Sequence, residues 1–150
     1  MEKYENAIKI MTERFAKDNV IAIATVEYGK PHNRMVDAYY HDGSFYTVTF
    51  GLSNKMRQIA TNPDVAVCAV DWFTGYGLGE NLGHVLAECN AEIMGMVRKA
   101  FAAWYDGGHM DESNVNTCLL RIKLTNGLLI DHETKYGEQY YKVDFTNKTA

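Results

Sequence analysis

Apolar residues in the first fifteen positions recur at Tyr4, Ile8, Met11 and Phe15, in steps of four, three and four, with Glu, Lys and Arg around them. That spacing predicts an amphipathic helix with one face to pack on a sheet. The pattern then changes. VIAIATV (20–26) is a near-continuous apolar run rich in β-branched residues, and Tyr28-Gly29-Lys30-Pro31 follows it, which predicts a buried strand ending in a turn. From His32 to Tyr40 the residues alternate, with Arg34, Val36 and Ala38 on one face and Met35, Asp37 and Tyr39 on the other. Asp42-Gly43 supplies a two-residue turn, and SFYTVTF (44–50) returns as the next strand. Ser53 is placed to cap a short helix through Ala60, and Asn62-Pro63 ends it, because proline disfavours the α conformation in the residue before it.

Asp64 to Val70 is another β run. The segment WFTGYGLGENLGHV carries four glycines but neither G-x-G-x-x-G nor a Walker pattern, so a glycine-rich strand or bulge is the better reading. Asn90 is placed to cap a further helix with a stripe of Ile93, Val97, Ala100, Phe101 and Trp104, closed by Gly107-Gly108. TCLLRIKLTNGLLIDH reads as a hairpin about Asn126-Gly127, and EQYYKVDF as a last strand. Seven or so strands, mostly joined by tight turns, against three helices fit a mainly β (α+β) class: an antiparallel barrel with peripheral helices rather than a βαβ sheet.

The remaining sequence properties narrow the function. At 150 residues the chain is expected to be a single domain (1–150) with one main core. Its formal charge of -4 and its lack of any Lys/Arg run argue against nucleic acid as a partner. No stretch has the apolar length of a membrane span and the charged first twenty residues do not resemble a signal peptide, so a cytoplasmic setting without membrane contact is expected. Cys68, Cys89 and Cys118 are expected to be reduced thiols. The five histidines, at 32, 41, 84, 109 and 132, show no H-x-x-x-H spacing and there is no C-x-x-C, so no metal site is expected. Asp131-His132-Glu133 directly follows a strand, where a solvated polar turn is the ordinary explanation, and no G-x-S-x-G element offers an activated serine.

More informative is RMVDAYYHDGSFYTVTFGLSNKMRQIATNPDVAV, which puts a cation, a hydroxyl-bearing strand end and a Ser-x-Lys helix start within a short span. If strands 32–40 and 44–50 pair across Asp42-Gly43, residues near Arg34 face those near Phe50, and the next loop brings Ser53 and Lys55 to the same end. Arg34, Thr49, Ser53 and Lys55 then converge on one anion, a phosphate, helped by the first amides of the helix. Spacing alone leaves the other reading open, in which Arg34 is a solvated strand residue and Lys55 lies on the surface of a capped helix.

At these residues the chain resembles the pyridoxamine 5'-phosphate oxidase-like family of FMN-binding split barrels, in its general-stress-protein branch. The likeness is carried by ATVEYGKPHNRMV, DGSFYTVT, and SNKMRQI with NPDVAV, in the family's order and covering most of the chain. It implies an antiparallel split β-barrel and a homodimer with two FMN sites at the subunit interface. It further implies that Arg34, Met35 and Val36 run along the flavin, that Val48 and Thr49 meet the phosphate tail, and that Lys55 binds the phosphate. Asn54 stands where the family usually has a second basic residue, and Asn81 is a candidate polar contact to the flavin. The Arg- and His-bearing C-terminal extension of the vitamin B6 oxidases is missing after KVDF, so oxidation of pyridoxamine phosphate is not expected. Instead, the segment NAEIMGMVRKAFAAWYDGGHMDE supplies Trp104 and Tyr105, with core packing the expected role of Trp104. The resemblance implies an FMN-dependent oxidoreductase with no catalytic side chain assigned and an undefined electron donor. The alternative is a module that stores or senses flavin, a deazaflavin or haem without turnover, haem needing an axial ligand such as His84 or His32.

Overall fold

The structure, a computed structural model, describes residues 1–108 and 110–150; His109, one of the histidines weighed as a metal ligand, lies outside the described residues. Three α-helices, α1 (Glu2–Phe15), α2 (Asn54–Thr61) and α3 (Ala91–Ala100), accompany seven strands. The strands are β1 (Asn19–Glu27), β2 (Lys30–His41), β3 (Ser44–Phe50), β4 (Asp64–Ala69), β5 (Phe73–His84), β6 (Thr117–Ile130) and β7 (Tyr140–Asp144). Every pairing is antiparallel, in the order β3-β2-β1-β4-β5-β6-β7, and β3 also pairs with β6. Six strands thus close into a barrel with β7 appended to β6. Closure satisfies edges that an open sheet would leave exposed.

The turns follow from local chemistry. Tyr28-Gly29 and Asp42-Gly43 both have positive φ at each central residue, 52° and 74° in the first and 43° and 79° in the second. That is the twist a two-residue hairpin needs, and glycine adopts it at no steric cost. The Tyr28 turn is therefore tighter than the four-residue turn the sequence suggests, and Lys30 and Pro31 already belong to β2.

Alternation along the strands decides which side is core. Ile21, Ile23 and Thr25 of β1 point inward and are buried, with Ala38 and Tyr40 of β2, Phe45 of β3, and Leu120, Ile122 and Leu124 of β6. Helix α1 closes this interior with Ala7, Ile10, Met11 and Phe15, and the Phe15 and Phe45 rings meet edge to face at 5.7 Å. Tyr4 and Ile8 only flank the core, so the buried stripe is rotated slightly from the one read off the sequence. The outward positions of VIAIATV are not buried as expected. Val20 is 54% exposed, and Ala22, Ala24 and Val26 are half-buried, because nothing in the single chain covers that face. A second cluster forms outside the barrel, where α3 lays Met94 and Val97, followed by Phe101, against Val48, Val85 and Leu119.

Three further expectations fail for physical reasons. Asn126-Gly127 is no turn: β6 is one continuous strand through both residues. A Cβ on Gly127 would collide with the Phe73 ring and stand 2.7 Å from the Thr74 carbonyl, so this glycine serves close approach of β5. A register shift opposite Tyr76 and Gly77 bends β6 at Thr125, so that Thr117–Lys123 pair with β3 and Asn126–Ile130 with β7. Helix α3 stops at Ala100, and turns rather than helix carry the chain through Gly107-Gly108. The helix starts lack the expected side-chain caps: Ser53 and Asn90 occupy the positions, but Asn90 instead donates to the Leu82 and His84 carbonyls. Glycine-rich β5 is a strand with two irregularities, as the sequence indicates.

Candidate functional site

The barrel is split between β2 and β3. Only Tyr39–His41 pair with Ser44–Tyr46; beyond them β2 keeps β1 as its only partner, and β3, paired with β6 along its whole length, keeps only β6. The ladder expected to set Arg34 opposite Phe50 therefore does not form. The facing edges beyond Tyr39 and Tyr46 keep backbone donors and acceptors free for something other than a strand. Between them lies a cleft of about 650 Å³, lined by Val36 and Asp37 of β2, Thr47, Val48 and Thr49 of β3, Lys55 of α2, and Trp104 and Met110 beyond α3.

Arg34 does not line this cleft; it points inward near Lys55, which does, and is half-buried. Its guanidinium donates to Thr25 Oγ1 at 2.9 Å and to Gln58 Oε1 at 3.0 Å, and the Thr25 hydroxyl itself donates to Gln58 Oε1. Thr25 is fully buried and Gln58 nearly so, so β1 and α2 fix the orientation of the arginine. The rest of its five N–H donors have no protein partner among the described residues. Lys55 is also half-buried and makes no ion pair with a described residue. Burial pulls its ammonium below the usual lysine pKa, and the nearby Arg34 charge adds to the shift. Two neighbouring cations that form no ion pair with a described residue make an electrostatic arrangement that an anion stabilises.

Ser53 lies on the loop leading to Lys55. Its Oγ is buried and has no hydrogen-bond partner among the described residues, while its amide donates to the Phe50 carbonyl and its own carbonyl accepts from the Arg57 amide. An orphaned buried hydroxyl costs about 1–3 kcal/mol unless a ligand or water satisfies it. With no side chain capping α2, its first-turn amides also stay free. The donor set thus suits a phosphate: an arginine fork, an ammonium, a hydroxyl and helix amides, with the Thr49 hydroxyl in the adjoining cleft wall.

The other predicted positions are dispersed. Val36 and Val48 line the cleft, but the Met35 side chain points to the opposite face and is 61% exposed. Asn54 is exposed, and its Oδ1 accepts from Arg57, which also pairs with Glu27 at 2.8 Å. Asn81 accepts from the Gly83 amide and lines a separate hollow with Leu52, Ile59 and Gly79. Among the histidines, His84 Nε2 is bound to the Glu112 carbonyl at 2.7 Å and His32 is exposed. No group of three or more potential metal ligands occurs among the described residues. Asp131 is buried rather than solvated, accepting from the Glu133 and Lys135 amides, so the Asp131-His132-Glu133 turn is structural.

Sequence reasoning missed Thr25 and Gln58, whose signal was a polar residue on an otherwise apolar inward face. It also missed Asp37, which lines the cleft; burial raises its carboxyl pKa, and the neighbouring Asp18 raises it further. Trp104 does more than pack in the core. It lines the cleft, stacks on Phe101 at 4.9 Å and donates from Nε1 to Asp18 Oδ2 at 2.8 Å. Tyr105 is a buried packing residue whose hydroxyl donates to Glu112.

No family model matches the chain. Its sequence is 31% identical over 106 residues to general stress protein 26 of Bacillus subtilis, covering 68% of this chain and 72% of that protein. The fold is shared with a Clostridium acetobutylicum protein related to general stress protein 26, of the pyridoxinephosphate oxidase family. That match has a TM-score of 0.62 and 14% identity, with 99% of each chain covered. It is shared too with a FAD-binding protein of Mesorhizobium loti, at a TM-score of 0.59 and 15% identity, over 79% of this chain and 90% of that one. At such identities the structural matches speak for the barrel alone, and the Bacillus relative supplies the kinship: this chain belongs to the pyridoxamine 5'-phosphate oxidase-like split-barrel family, in its general stress protein 26 branch.

Proposed function

We propose that this chain, folded as one domain, binds FMN in the split of its barrel and acts as a homodimeric oxidoreductase. The observation that carries the reading is the pair of half-buried, uncompensated cations, Arg34 and Lys55, beside the orphaned Ser53 hydroxyl. A terminal phosphate dianion matches that donor set, whereas the middle of a dinucleotide spreads its two charges over two phosphates. The likeness to a FAD-binding barrel supports a flavin in general, and the phosphate cluster favours FMN.

When bound, FMN would supply the electron-transfer chemistry. The chain's own residues do the holding. Lys55 and Arg34 neutralise the phosphate, and the hydroxyls of Ser53 and Thr49 complete its hydrogen bonds. Thr25 and Gln58 keep the guanidinium aimed, so that little ordering entropy is lost on binding. The unpaired edges of β2 and β3 offer main-chain groups to a flat ring, while Val36 and Val48 exclude water from it. No side chain is required as a general base. Haem is disfavoured, because the His84 ring nitrogen is engaged and His32 lies exposed.

A second copy would cover the outer face of β2, β1, β4 and β5, where register places Met35 beside Ala22, and Ala24 and Ala66 beside the exposed Tyr76. A groove of about 700 Å³ runs over this face, its floor made largely of small and apolar residues such as Ala22, Ala24, Ala66 and Gly75, with Lys142 and Asp144 on its lining. Sedimentation should therefore give twice the chain mass.

The test of function is a pair of titrations, with FMN and with riboflavin, followed by anaerobic NADH or NADPH. Tight FMN and weak riboflavin binding is expected, with bleaching of the bound flavin. Equal affinities would refute the phosphate site, and bound flavin that no reductant bleaches would favour a storage or sensing module.

A further inference from the structure

Trp104 sits in an arrangement that packing alone does not require. It belongs to the turns after α3, on the outer side of the barrel, yet its indole reaches Asp18 in the corner between α1 and β1 and donates to it at 2.8 Å. That corner is tied down: the Asn19 side-chain Nδ2 donates to the Phe15, Lys17 and Ala38 carbonyls. One face of the indole is occupied by Phe101, stacked at an interplanar angle of 28°, and Phe101 is itself fully buried. The Nε1 edge is occupied by Asp18. The Tyr105 ring lies 6.0 Å away at a tilt, and the part of the indole that these neighbours leave uncovered is what Trp104 contributes to the cleft wall. An aromatic ring braced on one face and fixed at its edge is a preorganised stacking surface.

We propose that Trp104 is the ring-binding wall of the cleft. It stacks on the planar ring of a ligand whose phosphate is held at Lys55 and Arg34, and Asp18 acts as the positioning residue that fixes the indole. This inference rests on the FMN reading and adds what the phosphate cluster cannot supply, selection for an aromatic ring. Phosphate donors anchor any phosphorylated small molecule; a stacking wall admits those with a flat π-surface. Val36 and Val48 are then the apolar neighbours of the ring, and Asp37, on the same cleft wall, offers it a carboxyl group.

The experiment uses the two tryptophans of the chain. Trp72 lies elsewhere, beneath the Arg14 guanidinium at 4.1 Å and against the His132 ring, and it does not line the cleft. In Trp72→Phe protein Trp104 is the sole indole emitter, so FMN should quench most of the tryptophan emission at saturation. Bound flavin should in turn be strongly quenched. Trp104→Ala should weaken FMN about tenfold and restore flavin fluorescence, while leaving competition by inorganic phosphate unchanged; Trp104→Phe should retain most of the affinity. Saturable FMN binding to Trp72→Phe protein with undiminished indole emission would overturn the stacking role while leaving the phosphate reading intact. Failure of unmodified protein to bind FMN at all would remove both. Energy transfer quenches a distant indole as well, so stacking is read on the static quenching of directly excited flavin emission, which needs contact and is measured with Trp104 in place even if Trp104→Ala fails to fold.

Discussion

Replacing Lys55 by methionine separates a binding role from a structural one, because the two predict opposite effects on different observables. Methionine keeps the length and apolar stem of the side chain and removes the ammonium. In the free protein that ammonium is half-buried, has no carboxylate partner among the described residues and lies near Arg34. Its folded-state pKa is depressed below the ordinary 10.5, first by burial and then by the Arg34 charge. A lysine with a depressed folded pKa burdens the folded state wherever it is charged, so at neutral pH its removal relieves a penalty. Lys55→Met should leave the melting temperature of the ligand-free protein unchanged or raise it. Binding should respond in the opposite sense. A charge-assisted hydrogen bond to phosphate contributes about 1.5–3 kcal/mol, which corresponds to roughly 10- to 150-fold weaker FMN binding. Riboflavin, lacking the phosphate, should bind wild type and variant alike. The assay is flavin fluorescence titration with both ligands at two salt concentrations, beside a thermal melt without ligand. A variant that loses riboflavin as much as FMN, or that melts several degrees lower without ligand, would refute the assignment.

Three further substitutions test the surroundings. Gln58→Leu removes the acceptor shared by Arg34 and Thr25, so urea unfolding should show a loss of about 1–3 kcal/mol, with weakened FMN binding as the guanidinium loses its aim. Gly127→Ala forces a methyl against Phe73 and the Thr74 carbonyl and should cost about 1–3 kcal/mol in the same assay; a tolerated alanine would contradict close strand contact there. The Asp37 carboxyl has a folded-state pKa raised above 3.8, by burial first and then by Asp18, so its contribution to stability is complete below that value and is lost as pH rises through the raised one. Melting curves from pH 3 to pH 7 should accordingly show Asp37→Asn gaining about a degree or two on wild type as pH rises, and no such gain would remove the shift.

How far this architecture is legible in sequence depends on whether each feature is local. The turns at Tyr28-Gly29 and Asp42-Gly43 could be read directly, because a residue pair with positive φ is written in two adjacent letters. The same logic failed at Asn126-Gly127. There glycine answers to Phe73 on the neighbouring strand, and no reading of 126–127 alone contains Phe73. The helix start with Ser53 and Lys55 was visible as a possible anion site, since its donors lie within three positions. The split that makes it a cleft was not. It depends on β2 and β3 parting after three residue pairs while β6, far away in the sequence, holds β3 along its whole length. Thr25 and Gln58 were hidden because a polar residue on an inward face looks like surface until its buried partner is known. Trp104 reads as core from its helical spacing, and only the end of α3 at Ala100 frees it to line the cleft.

As proposed above, this barrel holds FMN by its phosphate in the split between β2 and β3. The most direct measurement is the visible spectrum of the purified protein after incubation with FMN and removal of excess by gel filtration, with Lys55→Met protein run in parallel. A flavin spectrum should elute with the protein at up to one FMN per chain, and much less of it with the variant. Protein that elutes colourless, or a variant that retains as much flavin as wild type, would contradict it.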